Sequence, residues 1–90
     1  MSAPKFSLGR LVATPGALTS VPRHDITTAL SRHVSGDWGE VGPEDWQTNE
    51  DSLVQGLRLL SVYYTADQTK FWIITEADRS GTTVLLPEDY

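Results

Sequence analysis

The stretch LRLLSVYYTADQTKFWIITEADRSGTTVLLP, residues 57–87, decides how this chain folds. It contains three apolar runs, LRLLSVYYT (57–65), KFWIITEA (70–77) and TTVLLP (82–87), separated only by the short polar links ADQT (66–69) and DRSG (78–81). Runs of this length, rich in β-branched and aromatic residues and bounded by turn residues, read as strands. Links this short join antiparallel neighbours, because a parallel pair needs a long crossover. The expectation is a three-stranded antiparallel meander. Period-2 alternation puts Leu57, Leu59, Ser61 and Tyr63 on one face of the first strand and Arg58, Leu60, Val62 and Tyr64 on the other. Trp72 and Ile74 face away from Phe71 and Ile73, so both faces of the sheet carry apolar side chains. If left uncovered, the second face would be a contact surface for a protein partner or for a second copy in a homodimer.

Upstream, FSLGRLV (6–12) alternates as an N-terminal strand and ends at Thr14-Pro15-Gly16, which reads as a turn. Ser20 is placed to cap a helix over about 22–34, with Pro22 at its start and Asp25 in its first turn. Its apolar stripe is Ile26, Ala29 and Leu30, then His33 or Val34, and Gly36 stops it. DWGEVGP (37–43) is a loop. Pro43, followed by Glu44 and Asp45, opens a second helix over about 43–55 that carries Trp46, Leu53 and Val54, turns Asn49 inward and stops at Gly56. The fold class is α+β: one domain over 1–90, an N-terminal strand, and two short helices packed on one face of the meander. The expected core is Leu8, Val12, Ile26, Leu30, Leu53, Leu59, Tyr63, Phe71, Ile73, Val84 and Leu86.

Composition narrows the chemistry. Ninety residues support a single core, and 39% hydrophobic with 21% charged residues is ordinary globular composition. The chain has no cysteine, which excludes disulfides, zinc-thiolate sites and thiol catalysis and suits a reducing cytoplasm. No apolar run reaches the roughly 18–20 residues that span a bilayer. The N-terminus lacks the apolar core of a secretory signal, so the chain reads as complete, cytoplasmic and free of membrane contact. His24 and His33 lack metal-ligand spacing, and no glycine-rich phosphate motif occurs, so neither a metal nor a cofactor is expected. The net charge of −5 argues against direct nucleic-acid binding, which draws its affinity from neutralising phosphates.

Two readings compete over SRHVSGDWGE (31–40). In one, His33 and Asp37 form an acid/base pair, and Arg79, beside Glu76 and Thr83, supplies a phosphate-binding cation in the manner of small ribonuclease toxins. In the other, His33 caps the end of its helix, Asp37 makes an Asx-turn over Trp38-Gly39, and Trp38 fills the core edge. Asp45 and Asn49, one helical turn apart, either hold a ligand or share an ordinary side-chain bond. Asp37, Glu40, Glu44, Asp45, Glu50 and Asp51 follow one another without a single Lys or Arg between them. A basic partner protein would fit a surface made of Asp37, Trp38, Glu40, Glu44, Asp45, Trp46 and Asn49, with the tryptophans as anchors.

RHVSGDWG (32–39), NE (49–50), GLRLLSVY (56–63), WIITEADRS (72–80) and TTVLLPEDY (82–90) together resemble a group of bacterial proteins of about this length carried on plasmids and integrated elements, the plasmid-related proteins. The resemblance covers nearly the whole chain. It implies a mobile-element accessory role, such as inhibiting a host defence or nucleic-acid-handling protein, and brings no catalytic assignment. The sequence departs from the group at ADQT (66–69), which lacks the expected glycine, and that bears on the turn type.

Overall fold

Three of the four strands in the computed structural model, which describes residues 3–90, come from residues 57–87. The elements are β1 (Arg10–Ala13), α1 (Pro15–Ser20), α2 (Arg23–Val34), α3 (Pro43–Gln55), β2 (Leu59–Tyr64), β3 (Lys70–Thr75) and β4 (Gly81–Leu85), followed by a 3-10 turn, Pro87–Asp89. β2 and β3 pair antiparallel from Leu59↔Thr75 to Tyr64↔Lys70, and β3 and β4 from Trp72↔Leu85 to Thr75↔Thr82. The meander is present, and β1 extends it in parallel beside β4, giving the order β1-β4-β3-β2. The fold is α+β.

Several expectations need correcting at the N-terminal end. The first strand is shorter and starts later than 6–12, because Gly9 takes φ +65° against the β3–β4 turn. A Cβ there would lie 2.4 Å from the Ser80 carbonyl carbon, so the backbone approaches too closely for any other residue. Thr14-Pro15-Gly16 is the start of a helix and not a turn. The Thr14 hydroxyl accepts from the Ala17 N–H at 3.1 Å, and Pro15 occupies the first helical position. Ser20 ends α1 and does not cap α2, which Pro22 precedes with no side-chain cap. Six residues with one buried side chain show no periodicity, so nothing in the apolar pattern marks α1 as a helix.

α1 and α2 cover one face of the sheet. Ala17, Val21, Ala29, Tyr63, Phe71, Ile73, Val84 and Leu86 form the core there, with Ala13, Ile26 and Leu30 packed against it. Val12 is exposed, on the opposite face, and Leu8 and Leu53 are only half-buried. α3 does not join the other helices on that face; it lies along the outer edge of β2. There the Asn49 side-chain amide donates to the Leu60 carbonyl at 2.7 Å and its oxygen accepts from the Leu60 N–H at 3.1 Å, so one side chain replaces a neighbouring strand. One step further on, Val62 donates to the Trp38 carbonyl at 3.1 Å and accepts from the Glu40 N–H at 2.7 Å. Gly39 makes this possible: at φ +75° a Cβ would sit 2.0 Å from the Val62 oxygen. The β2 edge is thereby closed to further pairing.

The second sheet face carries Val62, Ile74 and Leu85, all buried, and the half-buried Trp72. The end of the described chain folds back onto it. The Tyr90 ring meets Trp72 edge-on at 5.7 Å, Thr14 donates its hydroxyl to Asp89 Oδ2 at 2.5 Å, and Arg58 bridges Glu76 and the Tyr90 hydroxyl. In the ADQT link, Gln68 adopts φ +69°, where glycine would be unstrained. Bonds from Thr69 N–H to the Thr65 hydroxyl and from Gln68 N–H to the Thr65 carbonyl hold the turn.

Candidate functional site

The histidine of SRHVSGDWGE is at the centre of a dry polar chain. α2 points His33 down onto the sheet, where its side chain is 0% exposed. Nδ1 lies 2.5 Å from Ser61 Oγ on β2, and Nε2 lies 2.9 Å from Thr75 Oγ1 on β3. Thr75 Oγ1 is 2.8 Å from Thr82 Oγ1 on β4, and Thr82 donates to the Leu8 carbonyl at 2.7 Å. Counting protons along this chain assigns the tautomer. A carbonyl only accepts, so the Thr82 proton goes to Leu8 and Thr75 must donate to Thr82. Thr75 then has no proton left for the ring, so His33 carries its hydrogen on Nε2, and Nδ1 accepts from Ser61. Ser61, Thr75 and Thr82 are themselves fully buried.

Three aromatic and cationic neighbours close the pocket. Phe6 and Trp38 meet the imidazole edge-on at 5.3 and 5.6 Å, and the Arg79 guanidinium lies over Phe6 at 5.6 Å. Burial, reinforced by the positive charge of Arg79, lowers the His33 pKa to about 4, so the ring is neutral near pH 7. His33 therefore does not cap the helix end with a charge.

Asp37 is turned away from His33. Its carboxylate takes a paired bond from Arg32, at 2.7 Å from Nε and 3.2 Å from Nη2, and accepts from the Gly39 N–H at 3.1 Å. The bond from Arg32 holds the Asp37 carboxyl below its ordinary pKa. The Tyr63 hydroxyl donates to the Asp37 carbonyl at 2.6 Å, and Arg32 lies over the Tyr63 ring at 4.8 Å. Arg79, in a left-handed backbone conformation, donates to the carbonyls of Leu57, Glu76, Ala77 and Ser52 and so ties the end of α3 to the β3–β4 turn. The three residues considered for catalysis do not converge on a common cavity. Each is committed to bonds that hold the fold.

The proposed binding residues divide by burial. Trp38 is 0% exposed, with its indole N–H donating to Glu50 at 2.8 Å, so it is a core residue and not a surface anchor. Asn49 is buried, spends its amide on Leu60 and makes no bond to Asp45. Glu40, Glu44, Asp45 and Asp51 are exposed, and among the described residues none has a basic side chain within 4.0 Å. Trp46, on the same helix as Glu44, Asp45 and Asp51, is 38% exposed. A cleft of about 130 Å³ between α3 and β2 is lined by Asp45, Thr48, Asn49, Arg58 and Leu60. A second of similar size lies between α2 and the β2–β3 end, with His24, Asp25, Thr28, Arg32 and Tyr64 among its walls. Both are far smaller than the roughly 300–1,000 Å³ of a typical small-molecule site.

Sequence reasoning did not identify Ser61, Thr75 and Thr82 as the partners of His33. One signal was present: Ser61 shares its strand face with Leu59 and Tyr63, so a hydroxyl sits where an apolar residue was due. Among the described residues no cluster of three or more His, Cys, Asp or Glu could hold a metal ion, and no helix is long and apolar enough to cross a membrane. Compared with protein-family models, with curated proteins and with solved structures, the chain matches nothing.

Proposed function

We propose that this protein acts by binding another protein through the acidic surface of α3 and the loop before it, with Glu40, Glu44, Asp45 and Asp51 as the charged contacts and Trp46 as the apolar anchor. One observation carries the reading: among the described residues these four exposed carboxylates have no basic side chain within 4.0 Å, and α3 also leaves Trp46 part-exposed, while His33, Asp37 and Arg79 are occupied in holding the fold. Exposed charges of one sign steer a partner of the opposite sign, and a desolvated aromatic supplies much of the residence time. The partner is a basic protein whose nucleic-acid surface the carboxylates occupy in place of phosphates. The resemblance to plasmid-related proteins adds a setting, the cytoplasm of a bacterium hosting a mobile element, in which an inhibitor of host defence has a use.

The test is co-purification of the tagged chain from a related bacterium beside a Glu40→Lys, Glu44→Lys, Asp45→Lys control. The expected result is a stoichiometric basic, nucleic-acid-handling protein, absent from the control and displaced by added DNA. A partner retained by the control, or one indifferent to DNA, would sink the reading.

A further inference from the structure

The two edges of the sheet differ. The β2 edge is closed by Asn49, Trp38 and Glu40, whereas among the described residues nothing pairs with the β1 edge. Arg10 donates its backbone N–H to Ser80 and Thr14 donates to Val84, each at 3.0 Å. In a parallel ladder the bonding residues alternate, so the even-numbered positions of β1 face β4 and the backbone N–H and C=O groups of Leu11 and Ala13 point outward. No backbone group among the described residues pairs with them. The strand is also apolar on both sides: Leu11 is 53% and Val12 46% exposed. A bare apolar edge is a template for another strand.

We infer that β1 pairs antiparallel with β1 of a second copy, about a two-fold axis through Val12, so that two four-stranded sheets become one. Register selects this arrangement. Centring on Val12 lets Leu11 of each copy exchange both backbone bonds with Ala13 of the other. A shift in one direction meets Gly9, whose φ of +65° is not extended, and a shift in the other meets Pro15, which has no N–H.

Charge complementarity supports the same register. Arg10, Val12 and Thr14 share the second sheet face, so Arg10 falls opposite Thr14 of the second copy. The hydroxyl of that Thr14 holds the Asp89 carboxylate. Arg10 has no carboxylate within 4.0 Å among the described residues of its own chain, and the pairing supplies one, twice over by symmetry. Closure of the β2 edge blocks head-to-tail addition of β1 to β2, so assembly stops at two copies instead of growing into a fibre. This surface is separate from the acidic face of α3, and neither proposal depends on the other.

The absence of native cysteine makes a direct test possible. Directly opposed residues at a position without mutual hydrogen bonds have Cα atoms about 4.5 Å apart, within disulfide range. Val12→Cys should therefore link into a covalent dimer under mild oxidation, and Leu11→Cys, which faces Ala13, at least about tenfold more slowly. Sedimentation of the unmodified chain from micromolar to sub-millimolar concentration should show a monomer–dimer equilibrium. Leu11→Pro removes an outward N–H and the exposed leucine side chain while sparing the bonds to β4, and Arg10→Glu removes the charge match; each should raise the dimer Kd at least about tenfold, with circular dichroism confirming an intact fold. A chain that stays monomeric over that range with no Val12→Cys linkage overturns the proposal. So does a dimer that survives both Leu11→Pro and Arg10→Glu, since it must use another surface.

Discussion

Two polar groups drawn from neighbouring stretches of this chain end in opposite surroundings. His33 sits under α2 with Ser61, Thr75 and Thr82, sealed from water, and each donor in that set is matched to an acceptor. Glu40, Glu44, Asp45 and Asp51 stand in solvent; among the described residues none has a basic side chain within 4.0 Å, and Asp51 accepts only from the exposed Gln47 amide at 3.0 Å. A residue's chemistry does not say which fate it meets; its geometry does. In the first group polarity contributes to the fold, because a buried donor without a partner is costly. In the second it contributes little to the fold and is free for contact with another molecule.

The sharpest way to break this contrast is His33→Ala. It should cost about 2–4 kcal/mol in urea unfolding, because it leaves a cavity beside Phe6 and Trp38, strands the Ser61 hydroxyl proton and removes the donor to Thr75. A loss below about 1 kcal/mol would mean that water replaces the ring at little cost. The titration of His33 should show nearly as large an effect. Its pKa falls from 6.5 in the unfolded chain to about 4 in the fold, so between those values the unfolded chain binds the extra proton. Stability should then be full above pH 6.5 and decline by up to about 3 kcal/mol as pH drops towards 4. The decline should vanish in His33→Asn.

Asn49→Ala tests the closed edge. Losing both bonds to Leu60 should cost about 1–3 kcal/mol in thermal or chemical denaturation, and an unchanged midpoint would show that Leu60 is satisfied by water. The smallest effect belongs to the exposed group. Glu44→Lys and Asp45→Lys should each move stability by no more than about 0.5 kcal/mol, read in the same denaturant series. A larger shift would place those carboxylates within the fold's own bonding.

Legibility along the chain followed the range of the interactions. The limits of α3 can be read from Pro43 and Gly56, because N1 prolines and left-handed stop glycines act within a turn of backbone. The meander can be read from alternation and short links. α1 could not be read, since its only strong signal is the Thr14-Pro15 start, and Pro-Gly suggests a turn equally well. The parallel seat of β1 beside β4 joins segments far apart in sequence, and no local pattern announces it.

The α+β class, the antiparallel meander, the two longer helices and the lack of cysteine are legible without the fold, because each depends on residues close together in the chain or on composition alone. That Trp38 is a core residue, that Asn49 closes a sheet edge and that His33 is buried against Ser61 and Thr75 emerges only when the chain is packed. The partners of His33 lie 28 and 42 residues away, and a side chain's chemistry depends on the water those distant residues exclude.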